Sequence, residues 1–200
     1  MLIGGMTMIR IATEADVPQM LAIYAPYIEN TTITFEYNVP SEAEFLQRFR
    51  DITIQFPWLV WEEDGKILGY AYGSAPFHRD AYRWCAEDSI YLLPEAQGRG
   101  IGKKLCLALE KVLTFQGYQR IYALITAENR PSVAFHEKLG YTLRADLPHA
   151  GFKFGRWIGV FWMDKRLDFV DFPSNFPQSW QAVRQDRQSF FDILDILSLF

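Results

Sequence analysis

The sequence predicts a single α+β domain followed by a helical tail, and three observations carry that prediction. Two hundred residues, 50% hydrophobic and 16% aromatic, fill one core well but would leave two separate domains small and marginal. Segments with apolar residues at helical spacing interleave with β-rich runs, with no internal repeat or low-complexity stretch between them. After Leu167 the composition changes to an Asp171–Pro177 linker and a final apolar stretch. The chain therefore divides into a leader or alternative start (1–7), a domain (8–167) and a linker with an apolar helical tail (168–200).

A short strand over about 8–12 leads to Thr13-Glu14-Ala15-Asp16, where a hydroxyl followed three residues later by an acid marks a helix start. That helix runs to about Glu29 and is perturbed by Pro26. Ser41-Glu42-Ala43-Glu44 repeats the signal before a second helix, in which Phe45, Leu46 and Phe49 share a face. Trp58–Trp61 and Ile67–Tyr72 flank Glu63-Asp64-Gly65-Lys66, and Asp-Gly between two β-rich runs signals a hairpin. A loop over Pro76–Tyr82 leads to a strand from about Arg83 to Leu93 that Pro94 ends. A helix over about Ile101–Gln116 is closed by Gly117. A strand over 119–125, a helix over 131–139 closed by Gly140, and strands near 141–146 and 155–167 complete the order. Residues 179–200 read as a helix whose Phe190–Leu197 run is too apolar to be left in water. It covers either this chain's core or a partner subunit, and its acidic polar residues argue against an anionic membrane surface.

A formal charge of −4 and a pI near 5.4 supply no basic face for a nucleic acid. The histidines at 78, 136 and 149 have no metal-ligand spacing, so no metal is expected. The start lacks the features of a signal peptide and no run reaches the length of a membrane span, which together suggest a cytoplasmic enzyme. Cys85 and Cys106 each lie in an apolar stretch and read as two buried thiols in a reducing compartment.

Gln97-Gly98-Arg99-Gly100-Ile101-Gly102 sits between a strand and a helix, where the free N–H groups of the helix's first turn and the positive end of its dipole can hold a pyrophosphate. Glycine lets phosphate oxygens approach the backbone and permits positive φ, and Arg99, Lys103 and Lys104 add charge. A dinucleotide fingerprint fails because the third glycine comes one residue early, and a P-loop fails because it requires other residues at Gln97 and Lys104. What fits is Gln/Arg-x-x-Gly-x-Gly/Ala, the acyl-CoA motif of the GNAT superfamily. Residues from about 9 to 167 resemble a GNAT domain and, within it, the phosphinothricin N-acetyltransferase family. The resemblance runs through Tyr24, Tyr27-Ile28, Thr32–Phe35, Tyr82-Arg83-Trp84, Glu87–Leu92, Asn129–Ser132, His136–Tyr141, Gly151–Trp157 and Phe161-Trp162.

The resemblance implies an α/β/α-like GNAT acyl-CoA acyltransferase fold, a mixed and mostly antiparallel sheet flanked by helices. It implies acetyl-CoA as co-substrate: Ile90, Tyr91 and Leu92 offer backbone groups to the pantetheine, Gln97, Gly98, Arg99, Gly100, Ile101, Gly102 and Lys103 hold the phosphates, and Asn129 and Ser132 lie on the pantetheine arm. It assigns Phe35, Arg79, Tyr82 and Trp162 to the acceptor pocket, with Arg79 anchoring a carboxylate, phosphinate or sulfone oxygen through bidentate hydrogen bonds. The phosphinothricin enzymes carry a second basic residue where this chain has Phe77, and His78 compensates only in part. That leaves phosphinothricin, methionine sulfoximine, methionine sulfone or another small amino acid as acceptor.

The chemistry also has its own logic. An amine attacks a thioester only when unprotonated, so an ammonium substrate needs a base, and the departing thiolate benefits from an acid. On a strand, Glu87, Ser89 and Tyr91 share one face and Asp88, Ile90 and Leu92 the other. Ringed by Tyr82, Trp84 and Tyr91, Glu87 would be partly desolvated, its pKa raised toward that of a working base. By itself it reads more readily as a solvated strand glutamate, since most acids are exposed, and the resemblance selects it. His136 occupies the motif position where many GNAT proteins carry a tyrosine, and serves as acid or orders a water for Glu87. Glu87, His136 and Tyr91 make up the catalytic set, and the Leu92 N–H is placed to stabilise a tetrahedral oxyanion. The expected function is direct transfer in a ternary complex to a small-molecule amine, by a homodimer. The alternatives are a non-catalytic acyl-CoA-binding sensor module and a protein or peptide N-acetyltransferase.

Overall fold

The computed structural model describes residues 7–200; residues 1–6, where nearly all of the expected leader falls, lie outside the described residues. Strand β1 (Thr7–Ile11) ends at the Thr13–Asp16 box, where the Asp16 carboxylate accepts the Thr13 N–H at 2.7 Å. The box closes a single 3-10 turn, and α1 (Val17–Asn30) starts after it and runs on through Pro26. Pro26 removes one ladder hydrogen bond, while Tyr24 and Ile28 on either side are buried and keep the helix docked. In α2 (Glu42–Gln55) the Ser41 N–H bonds the Glu44 carboxylate at 2.7 Å and the Glu44 N–H returns to Ser41 Oγ at 3.3 Å. The hairpin of β2 (Trp58–Glu63) and β3 (Lys66–Ser74) turns on Asp64 and Gly65, both at positive φ as a type I′ turn requires.

The chain continues through β4 (Cys85–Leu92), α3 (Ile101–Gln116), β5 (Arg120–Thr126), α4 (Arg130–Lys138), β6 (Thr142–Lys153) and β7 (Arg156–Arg166). The seven strands lie in the order β1-β2-β3-β4-β5-β7-β6, and only β4 and β5 pair in parallel. Helices cover both faces, so β2 is buried on each side: Trp58 and Val60 pack with Met20, Ile23, Phe45 and Phe49 of α1 and α2, and Leu59 and Trp61 with Leu105, Leu109 and Val112 of α3. Strand β6 extends past the expected end near 146. Pro148 and Gly151 lie inside it; the register shift between Leu147 and Gly151 accommodates Pro148, and a further shift lies between Leu143 and Ala145, irregularities that an edge strand tolerates.

One feature of the ladder positions the site. The β4–β5 pairing ends at Glu87 opposite Tyr122, yet β4 stays paired with β3 as far as Leu92, and β5 with β7 as far as Thr126. The two strands therefore diverge beyond Glu87 and open the middle of the sheet.

The tail forms two helices, α5 (Trp180–Gln185) and α6 (Arg187–Leu197), separated at Asp186, whose carboxylate caps α6 by accepting the Ser189 N–H at 2.8 Å. Trp180, Val183, Ile193 and Leu197 are buried in the same cluster as α3. Gln116 donates to the Gln55 and Gln178 carbonyls at 3.0 and 2.8 Å and ties the linker to the body. Of the two expected occupants of the apolar stretch, this chain's own core takes these four side chains. Cys106 is buried as expected, whereas Cys85 is only partly buried, and both are free thiols.

Candidate active site

The gap between β4 and β5 is a cleft of about 270 Å³, and its lining includes Phe35, Glu87, Ser89, Tyr91, Thr126 and His136. A second cavity of about 590 Å³ continues it toward the start of α3, lined by Tyr27, Gln97, Gly98, Gly100, Gly102 and Lys103. Ile33, Ile90, Asn129 and Ser132 line both, so the two form one channel from the glycine loop to Glu87.

The glycine loop fits an acyl-CoA pyrophosphate. Gly98 and Gly100 adopt φ of 74° and 83°, and a Cβ at either would point into open space. Gly100 caps α3 with no side-chain acceptor, which leaves the first-turn N–H groups to a ligand. A Cβ on Gly102 would lie 3.2 Å from the Leu92 side chain, so this glycine sets the close approach of helix to strand. Ile101 is 1% exposed, and its side chain belongs to the core. Lys103 lines the cavity, whereas Arg99 is held by Glu63 at 2.7 Å and Lys104 reaches the Phe200 carbonyl. The Arg99 pair is exposed and worth little, so a phosphate can compete for the guanidinium.

Along β4, the Leu93 N–H bonds the Leu68 carbonyl, so alternation turns the amides of Ile90 and Leu92 toward the gap. Tyr27, absent from the expected site residues, meets Leu92: its hydroxyl donates to the Leu92 carbonyl at 2.6 Å and accepts the Leu92 N–H at 3.4 Å. Asn129 caps α4, its Oδ1 accepting the Ser132 N–H at 3.3 Å, and its amide NH2 has both donors left for a ligand.

The β4 faces alternate as expected. Tyr91 packs against Tyr24, Tyr27 and Tyr70, with ring centroids 4.7, 5.2 and 5.5 Å away. Asp88 lies on the opposite face beneath α4, 3.3 Å from His136 Nε2, and accepts the Tyr141 hydroxyl at 3.2 Å. Because the sheet is open here, the cleft reaches groups of both faces. Burial, followed by the charge of Asp88, pushes the Glu87 carboxyl up to about 7. Burial and neighbouring tyrosines push Tyr91 well above its usual range, so it remains a hydroxyl donor. For His136, burial favours the neutral ring, but the hydrogen bond and charge of Asp88 more than offset this and the imidazole is raised above its ordinary value. Its Nδ1 lies 2.8 Å from the Ser132 carbonyl and 3.3 Å from Ser132 Oγ, so both ring nitrogens face protein groups. Two buried atoms of the lining, Asp88 Oδ1 and Thr126 Oγ1, have no protein partner.

The expected acceptor residues separate in space. Phe35 lines the Glu87 cleft, but Arg79 and Tyr82 line a neighbouring cavity of about 430 Å³ with Phe77, Cys85 and Phe176. Trp162 packs beside the second, 5.5 Å from the Phe77 ring, which lies 4.4 Å from Tyr82. The expected ring around Glu87 does not form: Tyr91 lines the same cleft but packs on Tyr24, Tyr27 and Tyr70, Tyr82 lines the neighbouring cavity, and Trp84 packs on Phe176 and donates to the Asn175 carbonyl at 2.9 Å. Among the described residues no cluster of His, Cys, Asp and Glu could hold a metal ion, and no helix is long and apolar enough to cross a membrane.

The sequence matches the acetyltransferase (GNAT) domain family over residues 9–162. It is 37% identical over 155 residues to a phosphinothricin N-acetyltransferase of Streptomyces viridochromogenes, covering 77% of this chain and 85% of the relative. It is 34% identical to an L-methionine sulfoximine/L-methionine sulfone acetyltransferase of Pseudomonas paraeruginosa, covering 80% of this chain and 94% of the relative. The fold is similar to a Sinorhizobium meliloti phosphinothricin acetyltransferase solved with acetyl-CoA: TM-score 0.79, 38% identity, 86% of this chain and 93% of that one. With this match over the domain that carries the channel, the chain belongs to the GNAT acetyltransferase family as an acetyl-CoA-dependent N-acetyltransferase.

Proposed function

We propose that the chain moves acetyl from acetyl-CoA directly to the amine of a small amino-acid-like acceptor, with phosphinothricin, methionine sulfoximine and methionine sulfone as the candidate class. The single observation that carries this is the continuous channel with a glycine cradle at one end and a desolvated carboxylate at the other. The acceptor's ammonium gives a proton to Glu87, the amine attacks the thioester carbon, and the carbonyl oxygen is met by the backbone N–H of Leu92. The departing thiolate takes one proton, relayed from His136 through Ser132 Oγ, and the remaining proton of the attacking nitrogen replaces it as the amide forms, while the Tyr91 hydroxyl, which stays protonated, donates a hydrogen bond. Cys85 lines the Arg79 cavity and shares its β4 face with Glu87, so an acceptor with its amine at Glu87 directs its acidic group toward exposed Arg79.

The test is thiol release from acetyl-CoA across a panel of amino-acid analogues. Release that depends on the amine is expected. If phosphinothricin, methionine sulfoximine and methionine sulfone all leave the rate at background, the acceptor class is wrong. Thermal stabilisation by acetyl-CoA without release from any amine would instead indicate a binding module. Release with peptide N-termini alone would indicate a protein N-acetyltransferase.

The domain 8–167 with its tail is proposed to act in the cytoplasm as a homodimer. Support for the dimer comes from the sheet edge: among the described residues no strand pairs with the outer side of β6, and Leu143, Leu147 and Trp157 are exposed on it and its partner strand. Native mass spectrometry at micromolar concentration is expected to give twice the chain mass, and a monomer would contradict it.

A further inference from the structure

Residues 31–36 form the wall of the cleft that carries Ile33, Thr34 and Phe35, yet they belong to no helix or strand. Three residues at the end of β6 hold this segment. The Lys153 side chain is 1% exposed, and its ammonium donates to the carbonyls of Ile28 at 2.8 Å, Thr31 at 2.9 Å and Thr34 at 2.8 Å. All three donors of the ammonium are thereby used. The Ile28 carbonyl lies in the last turn of α1, where carbonyls lack helical partners and the dipole favours a cation. Two positions earlier, Gly151 receives the Phe35 ring, and a Cβ there would lie 2.4–2.7 Å from three of its atoms. Between them, the Phe152 carbonyl accepts the Tyr37 hydroxyl.

We propose that Lys153 is a positioning residue for acceptor selectivity: its buried ammonium fixes residues 31–36 so that Phe35, seated on Gly151, shapes the acceptor end of the cleft. This rests on the acceptor reading given above. Lys153 does not touch the glycine cradle, and of residues 31–36 Ile33 alone also lines the cofactor cavity, so acetyl-CoA binding should respond less than acceptor binding.

The experiment compares wild type, Lys153→Gln and Gly151→Ala. An amide supplies at most two of the three hydrogen bonds, whereas Gly151→Ala leaves those bonds in place and displaces only the Phe35 ring. In both variants KM for methionine sulfone is expected to rise about tenfold or more, a loss of the order of one charged hydrogen bond. KM for acetyl-CoA is expected to change less than KM for methionine sulfone, because only Ile33 of the segment lines the cofactor cavity. The ratio of kcat/KM for methionine sulfone to that for alanine should change about fivefold or more, a discrimination within the reach of one repositioned apolar wall. A loss of stability alone leaves that ratio unchanged. Amide exchange over 31–37 should speed up in Lys153→Gln while α3 keeps its protection.

If wild type turns over and both variants keep the wild-type selectivity ratio, the proposal is overturned while the acceptor reading stands. If wild type acetylates no amine, the acceptor reading fails and exchange decides on Lys153: unchanged protection of 31–37 in Lys153→Gln overturns its role. Should Lys153→Gln not fold, the selectivity of Gly151→Ala decides.

Discussion

Glu87→Gln is expected to lower kcat about 10²- to 10⁴-fold, the range a positioned general base contributes. Acetyl-CoA affinity should remain within about twofold, because the cradle at Gly98–Lys103 is built from backbone N–H groups that Glu87 does not touch. The same substitution should stabilise the fold in alkali. Glu87 has a folded-state pKa of about 7 against an ordinary 4.5. Being raised, it contributes stability that is fully present below pH 4.5 and lost as pH climbs through 7. The loss is on the order of 3 kcal/mol. Glutamine does not ionise, so Glu87→Gln should melt above wild type at pH 8.5 and close to it at pH 5, as calorimetry at the two pH values will show. Wild-type turnover in the variant would remove Glu87 as the base.

Trp180→Ala should destabilise the protein by about 3–5 kcal/mol, the cost of emptying a large aromatic site that cannot collapse. Trp180 is 0% exposed and lies in the cluster of Leu105, Leu109 and Val112. Its indole N–H has no partner, so the loss is of packing rather than of a hydrogen bond. For a chain of this length the melting temperature should fall by about 6–20 °C. Below the transition, acetyl-CoA binding should survive, because Trp180 lines neither part of the channel. A shift of only a degree or two would mean that α5 is a loosely attached appendage.

What was legible in the sequence is what local chemistry dictates. The Asp64-Gly65 turn, the Ser41–Glu44 box and the Gly117 cap were written in residues that satisfy their own neighbours. The β4 faces followed from alternation alone, and the glycine loop from spacing. What escaped depends on contacts between distant segments. Nothing near Glu87 announces that β4 and β5 separate there, since the separation is set by how far each strand pairs on its other side. The distance of Tyr82 and Trp84 from Glu87 reflects a 3-10 turn at Asp80–Tyr82 and a tail residue, Phe176, that claims Trp84. Lys153 reads as a surface lysine until its three carbonyls, from residues more than one hundred positions earlier, are in view. Tyr27 had a signal, as one of the matching aromatic positions, but only the opened strand explains its hydroxyl.

The central claim is that Glu87, raised by burial in the opened sheet, takes the proton from the acceptor amine. The direct measurement is kcat/KM for methionine sulfone against pH, for wild type and Glu87→Gln. The structure predicts a wild-type kcat/KM that rises through an ionisation at about pH 7, and a variant whose residual kcat/KM lacks that ionisation. A wild-type profile without it, or the same profile in both proteins, would contradict the account.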